Sequence, residues 1–224
     1  MLKYPLLVVS DFDGTISTED LVVLLTTAFA PGNQDLVDAI NRQEISLGEG
    51  LAALFRALPT GQEALYRRFI HNHSGTRPGF DAFAANLANA NIPLFIASNG
   101  LDMILHMVLE GRVPADHIYA NHADLSGTTI EVQWTYPCPP DDPHGCGLCK
   151  PSLIEALRRQ FGAPVVFVGD GVTDFLGAEA ADYVIARSRL AEWLQQQSQP
   201  FRFFEDFYQV DQHVKDILRE VSSR

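Results

Sequence analysis

Leu6-Leu7-Val8-Val9-Ser10-Asp11-Phe12-Asp13-Gly14-Thr15 decides how the chain is read. Four consecutive apolar residues bounded by a polar stretch read as a buried strand, and this strand ends by presenting two carboxylates, Asp11 and Asp13. In open α/β sheets the ligand crevice lies beyond the C-terminal ends of the strands, so both side chains are expected in a cleft. Pro164-Val165-Val166-Phe167-Val168 is a second apolar run of the same kind, and Gly169-Asp170-Gly171-Val172-Thr173-Asp174 follows it. Two strands therefore deliver four aspartates. A lone Asp-x-Asp is commonly a turn or a helix cap; two acidic pairs placed directly after two strands call for another explanation.

Crowded like charges repel unless a cation neutralises them. An all-oxygen site of this kind suits Mg²⁺, which takes one or two carboxylates together with waters and phosphate oxygens. A phosphorylated substrate is thereby expected. Two further anchors lie between the acidic loops. Ile92-Pro93-Leu94-Phe95-Ile96-Ala97 reads as a third strand ending in Ser98-Asn99-Gly100, where a hydroxyl and loop N–H groups can hold phosphate oxygens. Lys150 precedes Pro151-Ser152-Leu153, a helix opening, and offers a point charge for phosphate. Alone, Ser98 reads as a strand-ending turn and Lys150 as a solvated lysine; their order along the chain changes that.

The order Asp-x-Asp-Gly-Thr, strand-Ser-Asn-Gly, Lys, Gly-Asp-Gly-x-x-Asp resembles the haloacid dehalogenase superfamily of phosphohydrolases. The resemblance runs from Leu6 to about Arg187 and implies an α/β fold, a Rossmann-like parallel-sheet core with a small inserted helical cap. It also implies Mg²⁺-dependent phosphoryl transfer through an aspartyl-phosphate. Carried over by position, it makes Asp11 the nucleophile, Asp13 the general acid/base and Lys150 the charge stabiliser. Thr15, Ser98, Asn99 and Gly100 become substrate contacts, and Asp11, Asp13, Asp170 and Asp174 the metal site. These roles are chemically sound. An ionised carboxylate needs no base to attack phosphorus, a second carboxyl two residues on can exchange the proton, and cations and N–H donors stabilise the charge of the transferring group.

Composition agrees with a small enzyme. At 224 residues and 46% hydrophobic the chain can bury a full core. Its net charge of -12 disfavours nucleic acids and acidic membranes as partners. No apolar run approaches the roughly 20 residues of a membrane span, and Met1-Leu2-Lys3 feeds a strand and not a signal peptide, so a cytoplasmic monomer or homodimer is expected.

Helical spacing recurs between the first motif and Ile92: at Leu21, Leu24, Leu25 and Ala28; at Leu51, Leu54, Phe55 and Leu58; and at Leu65 and Phe69. Residues 18–77 are accordingly expected to form a cap over a core of 1–17 and 78–224, with the hinge at 72–79. Such a cap can close over the cleft and contact the non-phosphate part of the substrate. Helices are further expected from Asp81, over Asp102 to Leu109, and from Gln212 to the C-terminus. Thr128 to Trp134 reads as an added antiparallel strand, and Tyr183 to Ala186 as the last core strand.

All three cysteines fall just before Lys150. Cys138, His144, Cys146 and Cys149 offer enough ligands for a tetrahedral Zn²⁺; three reduced thiols, or a disulfide, are the other readings. Cys146-Gly-x-Cys149-Lys150-Pro151-Ser152, with Ile118 to Ala123, Gly48-Glu49-Gly50 and Asp206-Phe207-Tyr208, is similar to a methionine-salvage branch of the superfamily. The chain departs from it at Ser98-Asn99-Gly100, where Ser-Gly-Gly is usual. Phosphoserine phosphatases form the neighbouring branch. Asp20 can stand for their acidic residue nine positions after the nucleophile and so joins the substrate contacts, but Leu51 occupies the place of their cap arginine. A phosphomutase or phosphotransferase would use the same aspartyl-phosphate, and a signalling receiver also places its acceptor at a strand end, although receivers lack a cap.

Overall fold

The computed structural model describes residues 4–42, 44–139 and 147–223. Its strands are β1 (Leu7–Ser10), β2 (Leu94–Leu101), β3 (Ile118–Asp124), β4 (Glu131–Gln133), β5 (Val165–Gly169), β6 (Tyr183–Ala186) and β7 (Arg202–Phe203). They form one sheet in the order β4-β3-β2-β1-β5-β6-β7. Every pairing is parallel except β3 with β4. The helices before β2 are α1 (Leu21–Phe29), α2 (Gln34–Asn41), α3 (Leu47–Arg56), α4 (Glu63–His73) and α5 (Phe80–Asn89). Those after it are α6 (Asp102–Leu109), α7 (Lys150–Phe161), α8 (Phe175–Ala180), α9 (Ser188–Gln196) and α10 (Phe207–Ser222).

The first motif takes the central place for a physical reason. Successive side chains of a strand point to opposite faces, and Leu6 and Val8 join one buried cluster while Leu7 and Val9 join another. The first cluster contains Phe83 of α5, Leu105 of α6 and Val210 of α10; the second contains Leu153 of α7 and Leu190 of α9. A strand apolar on both faces is satisfied only with helices on both sides, as in parallel sheets. β1 pairs β2 on one side and β5 on the other, which makes its C-terminal end a topological switch point and opens a crevice there.

Helices α1, α3 and α4 extend the first cluster through Leu25, Leu54, Phe55 and Tyr66. This helical segment is fastened to the sheet along two edges. One is its junction with the core, where Ser17 bridges Thr76. The other lies at the far end of α3: Ile130 N–H donates to the Leu58 carbonyl at 2.9 Å, Thr60 N–H to the Thr128 carbonyl at 3.0 Å, and Arg56 grips Glu131 through two bonds of 2.9 Å.

That second edge explains a difference from expectation. Residues 128–130 pair with 58–60 and do not extend the ladder with β3, so the strand expected over Thr128 to Trp134 shrinks to the three residues of β4. Ser98, Asn99 and Gly100 lie within β2 and not after it, and the register breaks between Ala97 and Leu101. Such an irregularity re-aims side chains, here towards the crevice. The terminal helix starts at Phe207 and not Gln212, because the Asp206 side chain caps it by accepting from Gln209 N–H at 2.9 Å. β7 follows β6 as a further strand, and the sequence gives no reading of α2, α8 or α9.

Phe167, fully buried on β5, lies against two glycines: a Cβ on Gly177 would sit 3.1 Å from its Cζ, and one on Gly169 2.9 Å from its Cε1. Phe167→Ala is expected to cost about 3–5 kcal/mol through lost burial and a residual cavity. A urea titration should show a lower midpoint at unchanged slope.

Candidate active site

The crevice at the end of β1 is organised around a buried lysine. Lys150 opens α7 and is only 1% exposed. Its Nζ donates to Asp11 Oδ1 at 2.6 Å and to Asp174 Oδ1 at 2.5 Å. The other oxygen of Asp174 accepts from the backbone N–H of Asp170 at 2.9 Å and of Gly171 at 3.0 Å. Gly169 makes this fold-back possible, since a Cβ there would lie 2.7 Å from Asp174 Oδ2. Asp174 therefore has both oxygens engaged, whereas Lys150 occupies only one oxygen of Asp11.

Asp11, Asp170 and Asp174 can each bring a carboxylate oxygen within 4.8 Å of the others, the one such metal-capable cluster among the described residues. Burial is the main cause that lifts the Asp11 carboxyl well above its ordinary range; repulsion from Asp174 adds to it, and Lys150 opposes it. Asp170 is pushed up to about 6 by burial and then by Asp174. Burial by itself draws Lys150 down, but Asp11 and Asp174 outweigh it and keep the ammonium charged. Carboxylates that resist ionisation for want of counter-charge form a site that a small, hard, oxygen-seeking divalent cation fits.

Asp13 stands apart from that cluster. Its Oδ1 accepts from Leu21 N–H, at the start of α1, at 2.9 Å, and its Oδ2 from the Ser98 hydroxyl at 3.3 Å. Burial, then the charge of Asp20, pushes its carboxyl up to about 8. Asp13 therefore holds a proton at neutral pH. Gly14 turns the chain beyond it at φ 75°, and a Cβ there would lie 2.7 Å from Asp170 Oδ2, so this turn needs glycine for its angle and for its space.

The other expected contacts are placed as follows. Thr15 is buried and donates from its hydroxyl to Asp170 Oδ1 at 2.8 Å. Ser98 Oγ accepts from Gly100 N–H at 2.9 Å, and Asn99 Oδ1 accepts from Leu148 N–H at 2.8 Å, which ties β2 to the segment that delivers Lys150. Asp20 caps α1 by accepting from Val23 N–H at 2.9 Å. Asp11, Asp13, Asp20, Asn99, Gly100 and Asp170 all face a cavity of about 250 Å³. Its opposite wall is apolar: Val22 and Val23 of α1, Val37 and Ile40 of α2, and Leu47, Leu51 and Leu54 of α3. The sequence points to the cap's inner face as a substrate contact but does not single out these residues, because they share the spacing of ordinary helix packing.

Of the four residues expected to hold Zn²⁺, His144 and Cys146 lie outside the described residues. Cys149 is buried, and its thiol donates to Ser152 Oγ at 3.1 Å; Cys138 is half-buried. Neither belongs to the metal-capable cluster, so nothing among the described residues supports zinc. No helix among them is long and apolar enough to cross a membrane.

A family model described as haloacid dehalogenase-like hydrolase matches residues 8–179. A protein of Exiguobacterium sp. named 2-hydroxy-3-keto-5-methylthiopentenyl-1-phosphate phosphatase is 35% identical over 214 residues, which cover 94% of this chain and 97% of that one. A protein of the same name from Geobacillus kaustophilus is 37% identical over 201 residues, covering 89% and 91%. Among solved structures, a phospho-aspartyl intermediate analogue of phosphoserine phosphatase superposes with a TM-score of 0.73 at 15% identity, over 94% of this chain and 99% of that one. A substrate-bound phosphoserine phosphatase does so with 0.72 at 15%, over 95% and 99%. At that identity the likeness is one of fold.

The raised Asp13 carboxyl has a consequence for stability. Its folded value of about 8 exceeds the unfolded value of about 3.9, so the folded state binds more protons in between and stability falls as pH rises through that window. In metal-free protein, Asp13→Asn removes this fall. Melting temperatures of variant and parent should agree near about pH 4, and the variant should lead increasingly up to about pH 8.

Proposed function

The chain belongs to the haloacid dehalogenase-like hydrolases, and from that we propose that it is a cytoplasmic phosphatase that hydrolyses 2-hydroxy-3-keto-5-methylthiopentenyl-1-phosphate in methionine salvage. Relatives named for that activity match nearly the whole chain. The observation that carries the substrate is the wall opposite the aspartates, seven aliphatic side chains from α1, α2 and α3. It suits an uncharged thioether tail. Phosphoserine would bring a carboxylate and an ammonium group to the same wall, and among the described residues around this cavity the one basic side chain is Arg189. Residues 18–77 serve as the cap that supplies the wall, over a core of 1–17 and 78–224.

Asp11 is the nucleophile. Lys150 opposes the burial that hinders its ionisation and holds Oδ1, which leaves Oδ2 to form the bond to phosphorus as the bond to the leaving oxygen breaks. Asp13, protonated at neutral pH by its burial, gives its proton to that oxygen. It then takes a proton from the water that cleaves the aspartyl-phosphate, so both halves close with Asp11 free and Asp13 protonated again. Ser98, Asn99, Gly100 and Thr15 steady the phosphoryl oxygens, and Asp20 contacts the substrate beyond them. Mg²⁺ fits Asp11, Asp170 and Asp174, with Asp13 beside them, and when bound it supplies positive charge to the transferring group.

Asp11→Asn should lower phosphate release by more than about a hundredfold in protein that still folds, as a retained cooperative melting transition would show. Chelation should abolish activity and Mg²⁺ restore it. Against phosphoserine, the enol phosphate should be favoured at least about tenfold in kcat/KM. Equal turnover of the two would overturn the substrate and leave the reaction; full activity in Asp11→Asn would overturn the reaction.

A further inference from the structure

The return from the helical insertion at 72–79 contains a side chain that the reaction leaves without a task. Arg77 is half-buried, and its guanidinium donates from Nη2 to the Gly14 carbonyl at 2.7 Å and from Nε to the Thr15 carbonyl at 3.0 Å. Its backbone N–H donates to the Ile16 carbonyl at 2.7 Å. The Gly14 carbonyl receives a second guanidinium, that of Arg187, at 3.2 Å. Two cations thus converge on one peptide of the turn that follows Asp13 and abuts Asp170.

The other side of Arg77 is anchored as firmly. Phe207 N–H donates to the Pro78 carbonyl at 2.8 Å, and Gly79, at φ 86°, lies so close to α10 that a Cβ would be 2.7 Å from Tyr208 N. Arg77 Nη1 reaches the Glu205 carbonyl at 3.5 Å. The residue therefore joins the start of α10 to the peptides just beyond Asp13. A planar fork of donors on a fixed base suits two adjacent carbonyls in a way that a point charge does not.

We propose that Arg77 is a positioning residue for phosphoryl transfer: by holding the Gly14 and Thr15 carbonyls it fixes Asp13 relative to Asp11 and keeps the Gly14 turn closed on Asp170. The inference rests on the roles given above to Asp11 and Asp13. Gly14 is the most conformationally permissive link in this turn, so the carbonyls beyond Asp13 need an external brace. A misplacement of about 1 Å at a reacting group costs on the order of a hundredfold in rate.

Arg77→Met keeps the apolar stem and removes every donor. In Mg²⁺-loaded enzyme its kcat should fall about 30- to 100-fold while KM moves less than about threefold. Arg77→Lys, with one donor group restored, should recover part of the loss. Val214→Ala, in the buried face of α10, is the stability control and should lower Tm without lowering kcat. Parent-like kcat in Arg77→Met, a loss confined to KM, or an equal loss of kcat in Val214→Ala would each overturn the inference. Should Arg77→Met fail to fold, Arg77→Lys decides: reduced kcat at parental KM supports the brace, and parental kcat overturns it. Asp11→Asn keeps the two readings apart, because retained activity there removes the reaction itself, whereas an inactive Asp11→Asn beside a fully active Arg77→Met removes only the role of Arg77.

Discussion

A buried ammonium held between two carboxylates is the constraint on which the rest of the structure depends. Lys150 has essentially no access to water, and an unpaired charge in that position would cost several kcal/mol even after relaxation. Its two partners lie 163 residues apart in the chain, Asp11 after β1 and Asp174 in the loop after β5. They can meet only because those strands are neighbours in the sheet. The glycine at 169 lets Asp174 fold back, the start of α7 presents the lysine from above, and Asn99 ties that start to β2. Folding and chemistry thus use the same three side chains.

The cavity sets two kinds of surface against each other. Acidic residues gather on the sheet side, where burial first and a neighbouring aspartate second raise Asp11, Asp13 and Asp170. The first is opposed by a lysine, the second is left to hold its proton, and the third stands against the turn at Gly14. Across the cavity the helical side offers aliphatic carbon. A molecule with one anionic end and one greasy end satisfies both.

How much of this could be read from the chain depended on where the signal lay. β1, β5 and their aspartates were legible because a strand buried on both faces must be apolar at every position, and a carboxylate directly after it has few other uses. Lys150 was legible by order along the chain. The pairing of 128–130 with 58–60 was not, since it joins segments far apart that share no periodicity, and it shortened β4. The bulge in β2 was hidden for a related reason: an apolar run followed by Ser-Asn-Gly looks like a strand's end whether or not the ladder continues. α2 is only about two turns long, so Leu36, Val37 and Ile40 share a face without repeating far enough along the chain to stand out. Arg77 and Arg187 act through backbone carbonyls, which any residue provides, so nothing in their sequence neighbourhood marks their targets.

The fastening of the helical segment along two edges changes what access to the cavity requires. A leaf attached on one side can swing, and the stiffness of its hinge then sets how fast it does so. This one is also stitched at Leu58–Thr60 and riveted by Arg56 to Glu131. It cannot swing clear of the sheet until those stitches part. Opening along that edge would have to part these bonds as well as the apolar contacts behind them, and salt that loosens the exposed Arg56–Glu131 pair would weaken that seam.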